Sequence, residues 1–112
     1  MSPIPLSQLE PRFYQYVLEN DQPMMREVET LEQAHGLHFL CPACAPDATR
    51  SHSLVCWFED RVPDTVYPLG RWAVDGAGLH DLSFVVGKRS NSIQIEEGCM
   101  WHGFITRGVV HD

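Results

Sequence analysis

A chain of 112 residues has room for one modest hydrophobic core, and its 44% hydrophobic and 21% charged content is that of a folding sequence rather than a disordered one. Eight basic against fifteen acidic residues give a formal charge of -7, which opposes the electrostatic attraction that nucleic-acid binding relies on and points to a neutral or basic partner protein. No apolar run reaches the roughly 18–20 residues that span a bilayer, and the opening MSPIPL has neither the basic start nor the apolar centre of a secretion signal; the expectation is a cytoplasmic protein with reduced thiols and no membrane contact.

Residues 1–23 place three prolines in the first eleven positions, then an aromatic segment, PRFYQYVLEN, that fits either a helical turn or a strand; this stretch reads as a peripheral N-terminal arm. MMREVE (24–29) looks extended. Thr30 and Gln33 have the spacing of a capping box and Gly36 supplies a stop, which predicts a short helix over 30–36. LHFL (37–40) then reads as a strand delivering Cys41. The strongest strand is SHSLVCWFE (51–59), because Val, Trp and Phe suit a pleated surface. Two prolines and a glycine make 61–70 a loop. Short strands follow at 71–75, 81–86 and 92–96, and Arg107-Gly108 suits a tight turn between strands at 102–106 and 109–111. The pattern predicts an α+β, β-rich fold: a single small domain over 1–112 with an antiparallel sheet, one or two short N-terminal helices and a zinc-knuckle-type metal site.

That metal site rests on two close pairs. Cys41 and Cys44 form a C-x2-C turn at the end of one strand, and Cys99 and His102 form a C-x2-H pair at the opening of the last hairpin. Thiolate and imidazole are the donors zinc prefers, and four of them close a tetrahedral shell, so one structural zinc per chain, with no position left for catalysis, is expected through Cys41, Cys44, Cys99 and His102. Iron suits the same donors. A rival set, Cys41, Cys44, His52 and Cys56, fails on geometry if 52–58 is a strand, because positions 52 and 56 would then lie about 13 Å apart at roughly 3.3 Å per residue. Cys56 reads instead as a core residue.

Catalytic readings are weaker and stay open as alternatives. CPAC (41–44) has the look of a thiol oxidoreductase turn, yet Pro46 and the short span to the next strand leave no helix to stabilise a thiolate. A zinc hydrolase would need one of the four ligands to stand aside, with His52, or His80 and Asp81, nearby; otherwise His80-Asp81 is a polar loop pair. The zinc deaminase pattern is absent. His35 and His38 sit on either side of Gly36 and should diverge, and Trp57, Trp72 and Trp101 read as core or rim aromatics.

FLCPAC (39–44), HSLVCWF (52–58), GRW (70–72), DLSF (81–84) and GCMWHGF (98–104) followed by Arg107-Gly108 resemble a family of small Cys/His proteins of unassigned function found in tailed phages and bacterial prophages. The likeness runs over roughly residues 34–110, and GCMWHGF is its most specific motif. Relatives commonly carry a glycine-rich stretch where this chain has APDATRS (45–51). The resemblance implies a phage or prophage origin, a bacterial cytoplasm as location, and Cys41, Cys44, Cys99 and His102 as the ligand positions. Together with the acidic surface it suggests a zinc-stabilised accessory protein that binds a host or phage protein; a virion or assembly component able to form homo-oligomers is the third reading.

Overall fold

The computed structural model describes residues 2–43, 53–59, 61–62, 71–87, 95–97 and 101–112, with residues 95–97, 101 and 102 described in their backbone only. These residues form ten strands: β1 (Ile4–Pro5), β2 (Arg12–Glu19), β3 (Gln22–Val28), β4 (Gly36–Leu40), β5 (Ser53–Phe58), β6 (Arg71–Asp75), β7 (Ser83–Val85), β8 (Ile95–Glu97), β9 (Trp101–Thr106) and β10 (Val109–His111). One sheet has the order β3-β2-β4-β5-β6-β7 and the other β1-β10-β9-β8. All pairings are antiparallel except β5 with β6, which run parallel with Trp57 opposite Arg71. The expected all-antiparallel sheet is corrected there, because the twelve residues between these strands are a long enough connection to cross over rather than turn back. Among the described residues no helix is long and apolar enough to cross a membrane.

The expected α-helices are absent among the described residues, where one 3-10 turn, Leu6–Leu9, is the single helical element. The segment left between helix and strand is the long strand β2. Its turn into β3 is made by Asn20 and Asp21 at φ 52° and 63°, the left-handed pair that joins two strands without splaying them. At 30–36 half of the capping box forms, Gln33 N donating to Thr30 Oγ1 at 3.3 Å while the Thr30 hydroxyl donates to Gln33 Oε1, and Ala34 N closes one turn on the Leu31 carbonyl at 3.1 Å. The helix stops after that turn, since nucleation is costly and Gly36 is claimed by β4. Arg61 Nη1 donates to the Ala34 carbonyl and, alongside Ala34 N, to the Leu31 carbonyl.

One continuous core joins the two sheets. Phe13, Leu37, Phe39, Leu54, Cys56 and Phe58 come from the larger sheet, and Ile105 and Val110 from the smaller. Leu6 and Leu9 are fully buried in the same core and β1 pairs with β10, so the N-terminal residues are built into the fold rather than forming an arm. The predicted Arg107-Gly108 turn is present, at φ 48° and 74°, and pins the sheets together: Gly108 N donates to Leu82 O, and Leu6 N to Gly108 O. A Cβ at Gly108 would lie 2.5 Å from the Leu79 carbonyl oxygen, so only glycine fits this seam. The expected zinc knuckle is no part of the described architecture: among the described residues no group of three or more His, Cys, Asp or Glu could hold an ion, and Cys44, Cys99 and the side chain of His102 lie outside them.

Candidate functional site

Cys41 follows β4 directly and is fully buried in the core. Cys44 and Cys99 lie outside the described residues, as does His52. The backbone of His102 is in β9 opposite Glu96, in the smaller sheet. The structure therefore puts Cys41 and His102 on different sheets without describing the four predicted ligands together. Cys56 is a core residue on β5 opposite Leu37, four strand positions from Cys41 and so about 13 Å away at roughly 3.3 Å per residue. The rival ligand set is excluded by that spacing. Burial of Cys41 also runs against a thiol oxidoreductase, whose attacking sulfur must be reachable.

The other candidates resolve into structural roles. Asp81 Oδ1 accepts hydrogen bonds from Gly78 N (2.8 Å) and Ala77 N (3.0 Å), which lower its pKa and make it the lock of a tight loop. His80 beside it is exposed. Trp57 and Trp72 are buried; Trp72 stacks on Phe84 with ring centroids 5.5 Å apart. The side chain of Trp101 lies outside the described residues.

What stands out instead is the β2–β3 hairpin. Strand β4 pairs with β2 only through Arg12, Phe13 and Tyr14. Beyond that point β2 and β3 continue as a two-stranded ribbon among the described residues, from Gln15 opposite Arg26 to Glu19 opposite Gln22. Register assigns the side chains. Phe13 faces the core, so Tyr14, Tyr16 and Leu18 share the outer face with Pro23, Met25 and Glu27, and with His38 and Trp57 on the neighbouring strands. Leu18 is 65% exposed, Met24 48% and Met25 44%; beside the polar turn Glu19–Gln22 they leave apolar side chains in solvent, Leu18 and Met25 on the outer face and Met24 on the opposite one.

The base of the ribbon is held by polar links. Arg26 Nη2 donates to Gln15 Oε1 at 2.7 Å, and Gln15 Nε2 to the Gln33 carbonyl at 2.7 Å. Arg12 reaches Glu27 at 3.6 Å. Just before β4 begins, His35 N donates to Tyr14 O, and Tyr16 N donates to His35 Nδ1 at 3.0 Å. His35 thus acts as the missing ladder partner, with Nδ1 bare and the proton on Nε2. Burial lowers its pKa, and Arg61 acts in the same direction. His38 packs against the edge of Tyr14 at 5.6 Å; burial, then Arg12, lowers its pKa. The two histidines diverge as expected, one in the sheet plane and one on its outer face.

At the far end of β3 a groove of about 500 Å³ opens, lined by Pro11, Arg12, Phe13, Glu27, Val28, Glu29 and Leu79. The hairpin was not singled out from the sequence. Its signal there was the run of apolar Leu18, Met24 and Met25 around Glu19, Asn20 and Asp21, where folding alone would place polar side chains. No protein-family model, curated protein or solved structure matches the chain.

Proposed function

We propose that the protein is a small accessory protein of a phage or prophage that works as a protein-binding module, with the β2–β3 hairpin as its docking element. The observation that carries this reading is the set of exposed apolar side chains near the hairpin turn, Leu18 and Met25 on one face and Met24 on the other, on a ribbon that, among the described residues, projects past the sheet that anchors it. Apolar anchors on a rigid, charge-rimmed support are the usual make-up of a protein-binding surface. The net charge of -7 favours a basic partner from the host or the phage. A single structural zinc on Cys41, Cys44, Cys99 and His102 belongs to the same proposal; it rests on donor type and spacing, and its contribution is to folding.

The test is photocrosslinking in a bacterial cytoplasm from a photoreactive side chain at position 18 or 25, with exposed Ser7 as the control position. One adduct of defined mass is expected from the hairpin positions and none from position 7. Leu18→Ser with Met25→Ser should remove the interaction while changing stability by only about 0.5 kcal/mol, as for other exposed sites. Adducts no stronger at 18 and 25 than at 7 would overturn the reading.

A further inference from the structure

Resting on that reading, we infer that the hairpin binds by strand addition: an extended segment with apolar residues at its centre and basic residues at both ends pairs with the open edge of β3. Strand β3 is the outermost strand of its sheet, with β2 its single neighbour among the described residues. The two-residue turn makes Glu19 and Gln22 a mutually hydrogen-bonded pair, so Gln22, Met24, Arg26 and Val28 direct their backbone groups to β2. Tyr14 O and Tyr16 N, which turn away from β3 toward His35, confirm this parity. The backbone groups of Pro23, Met25 and Glu27 therefore point outward. They offer two N–H donors and three carbonyl acceptors over a span of about five residues.

The chemistry of the occupant follows from what flanks this edge. Met24 and Met25 occupy its centre on opposite faces, which calls for apolar side chains in the middle of the incoming strand. Asp21 stands at one end, and Glu27 and Glu29 at the other, where both glutamates line the groove beside Val28. Among the described residues Asp21 and Glu29 make no ion pair, whereas Arg26 is engaged by Gln15. Basic residues at both ends of the segment meet these carboxylates.

A second copy of β3 is a poor occupant. Two-fold antiparallel pairing centred on Met25 would set Glu29 directly opposite Asp21 at both ends, and like charges across a ladder repel. Pairing centred on Arg26 or Glu27 would oppose two identical charges. Pro23, with its missing N–H on the outward side, removes one more bond from any self-pairing without disturbing β2.

The experiment uses the full chain and a fluorescein-labelled synthetic peptide with lysines at both ends and a Val-Ile-Val centre, read by fluorescence anisotropy. A second peptide of identical sequence carries N-methyl groups on the alternate amides that would face β3. N-methylation should weaken binding about tenfold or more, the loss expected when one or two backbone hydrogen bonds cannot form. Asp21→Asn with Glu29→Gln should weaken it and flatten its salt dependence. Met25→Pro, at a position equivalent to that of Pro23, should weaken it with the thermal midpoint retained. Equal binding of the two peptides overturns strand addition and leaves the docking surface standing. Binding untouched by all the hairpin substitutions overturns both, and no binding at millimolar peptide overturns strand addition. A dimer in analytical ultracentrifugation that Met25→Pro dissolves would overturn the basic segment in favour of a second copy.

Discussion

Gly36→Ala tests the outer face of the larger sheet most directly. A Cβ at position 36 would fall 2.6 Å from Trp57 Cε3 and 3.1 Å from the Cys56 carbonyl oxygen. The indole is only 9% exposed, so it must either lift off the sheet or force β4 from β5. Overpacking of this kind costs about 1–3 kcal/mol, while the loss of glycine's freedom in the unfolded chain returns about 0.4–1 kcal/mol. The net is a destabilisation of about 1–2 kcal/mol, or a thermal midpoint lowered by about 4–10 °C for a domain of this size. Gly78→Ala is the matched control, because a Cβ there meets nothing within 4 Å; it should be neutral or stabilise by up to about 1 kcal/mol. Urea melts followed by circular dichroism and tryptophan emission give both values. If Gly36→Ala proves as stable as Gly78→Ala, Trp57 does not rest on Gly36 and the register of β4 on β5 is wrong.

The lowered pKa values of His35 and His38 mean that, below about pH 6.5, the unfolded chain binds protons that the folded chain refuses. Stability is thus complete above that pH and falls as the pH drops through it toward the folded values. His35→Asn with His38→Gln should flatten the dependence of the thermal midpoint on pH between about 7.5 and 5.5. Arg61→Met leaves the Ala34 carbonyl without its guanidinium donor and takes the second of two donors from the Leu31 carbonyl, and should cost about 1–3 kcal/mol in a urea melt. Protein purified without chelator should carry one zinc per chain, with Cys44→Ser and Cys99→Ser losing it and Cys56→Ser keeping it. Equal metal content in all three variants, measured by elemental analysis, would sink the zinc assignment.

Strands β4, β5, β6 and the β9–β10 hairpin were legible because their β-branched and aromatic residues alternate between Gly and Arg-Gly punctuation. Strand β2 was ambiguous for a physical reason: Phe13 faces the core while Tyr14 and Tyr16 line the outer face, so no apolar–polar alternation marks it. Asn20-Asp21 was the signal that could have settled it. The helix predicted at 30–36 failed on information no local window holds. Its capping contacts are real, but Gly36 is fixed by Trp57, twenty-one positions away, and Arg61 completes the turn from farther still. Parallel pairing of β5 with β6 is likewise a long-range choice that neither strand's own sequence encodes. Of the predicted metal ligands, only Cys41 has its side chain among the described residues.

A two-stranded ribbon is marginal by itself in water, so the projecting part of the β2–β3 hairpin needs a reason to stay ordered. The Arg26–Gln15–Gln33 links, the His35 ring on Tyr16 N and the left-handed Asn20-Asp21 turn provide it without using Leu18, Met24 or Met25. Order at the base and apolar exposure at the tip are therefore separable properties. A stiff edge loses little conformational freedom when a strand joins it, which leaves more of the interaction energy for affinity. Softening the base should then weaken binding even where no contact with the partner is removed. Gln15→Ala, which cuts both polar links at once, should reduce peptide affinity with Leu18, Met24 and Met25 intact, and amide hydrogen exchange should quicken at residues 15–19 and 22–26. Faster exchange with unchanged affinity would show that the ribbon's rigidity is irrelevant to docking and that its apolar tip acts alone.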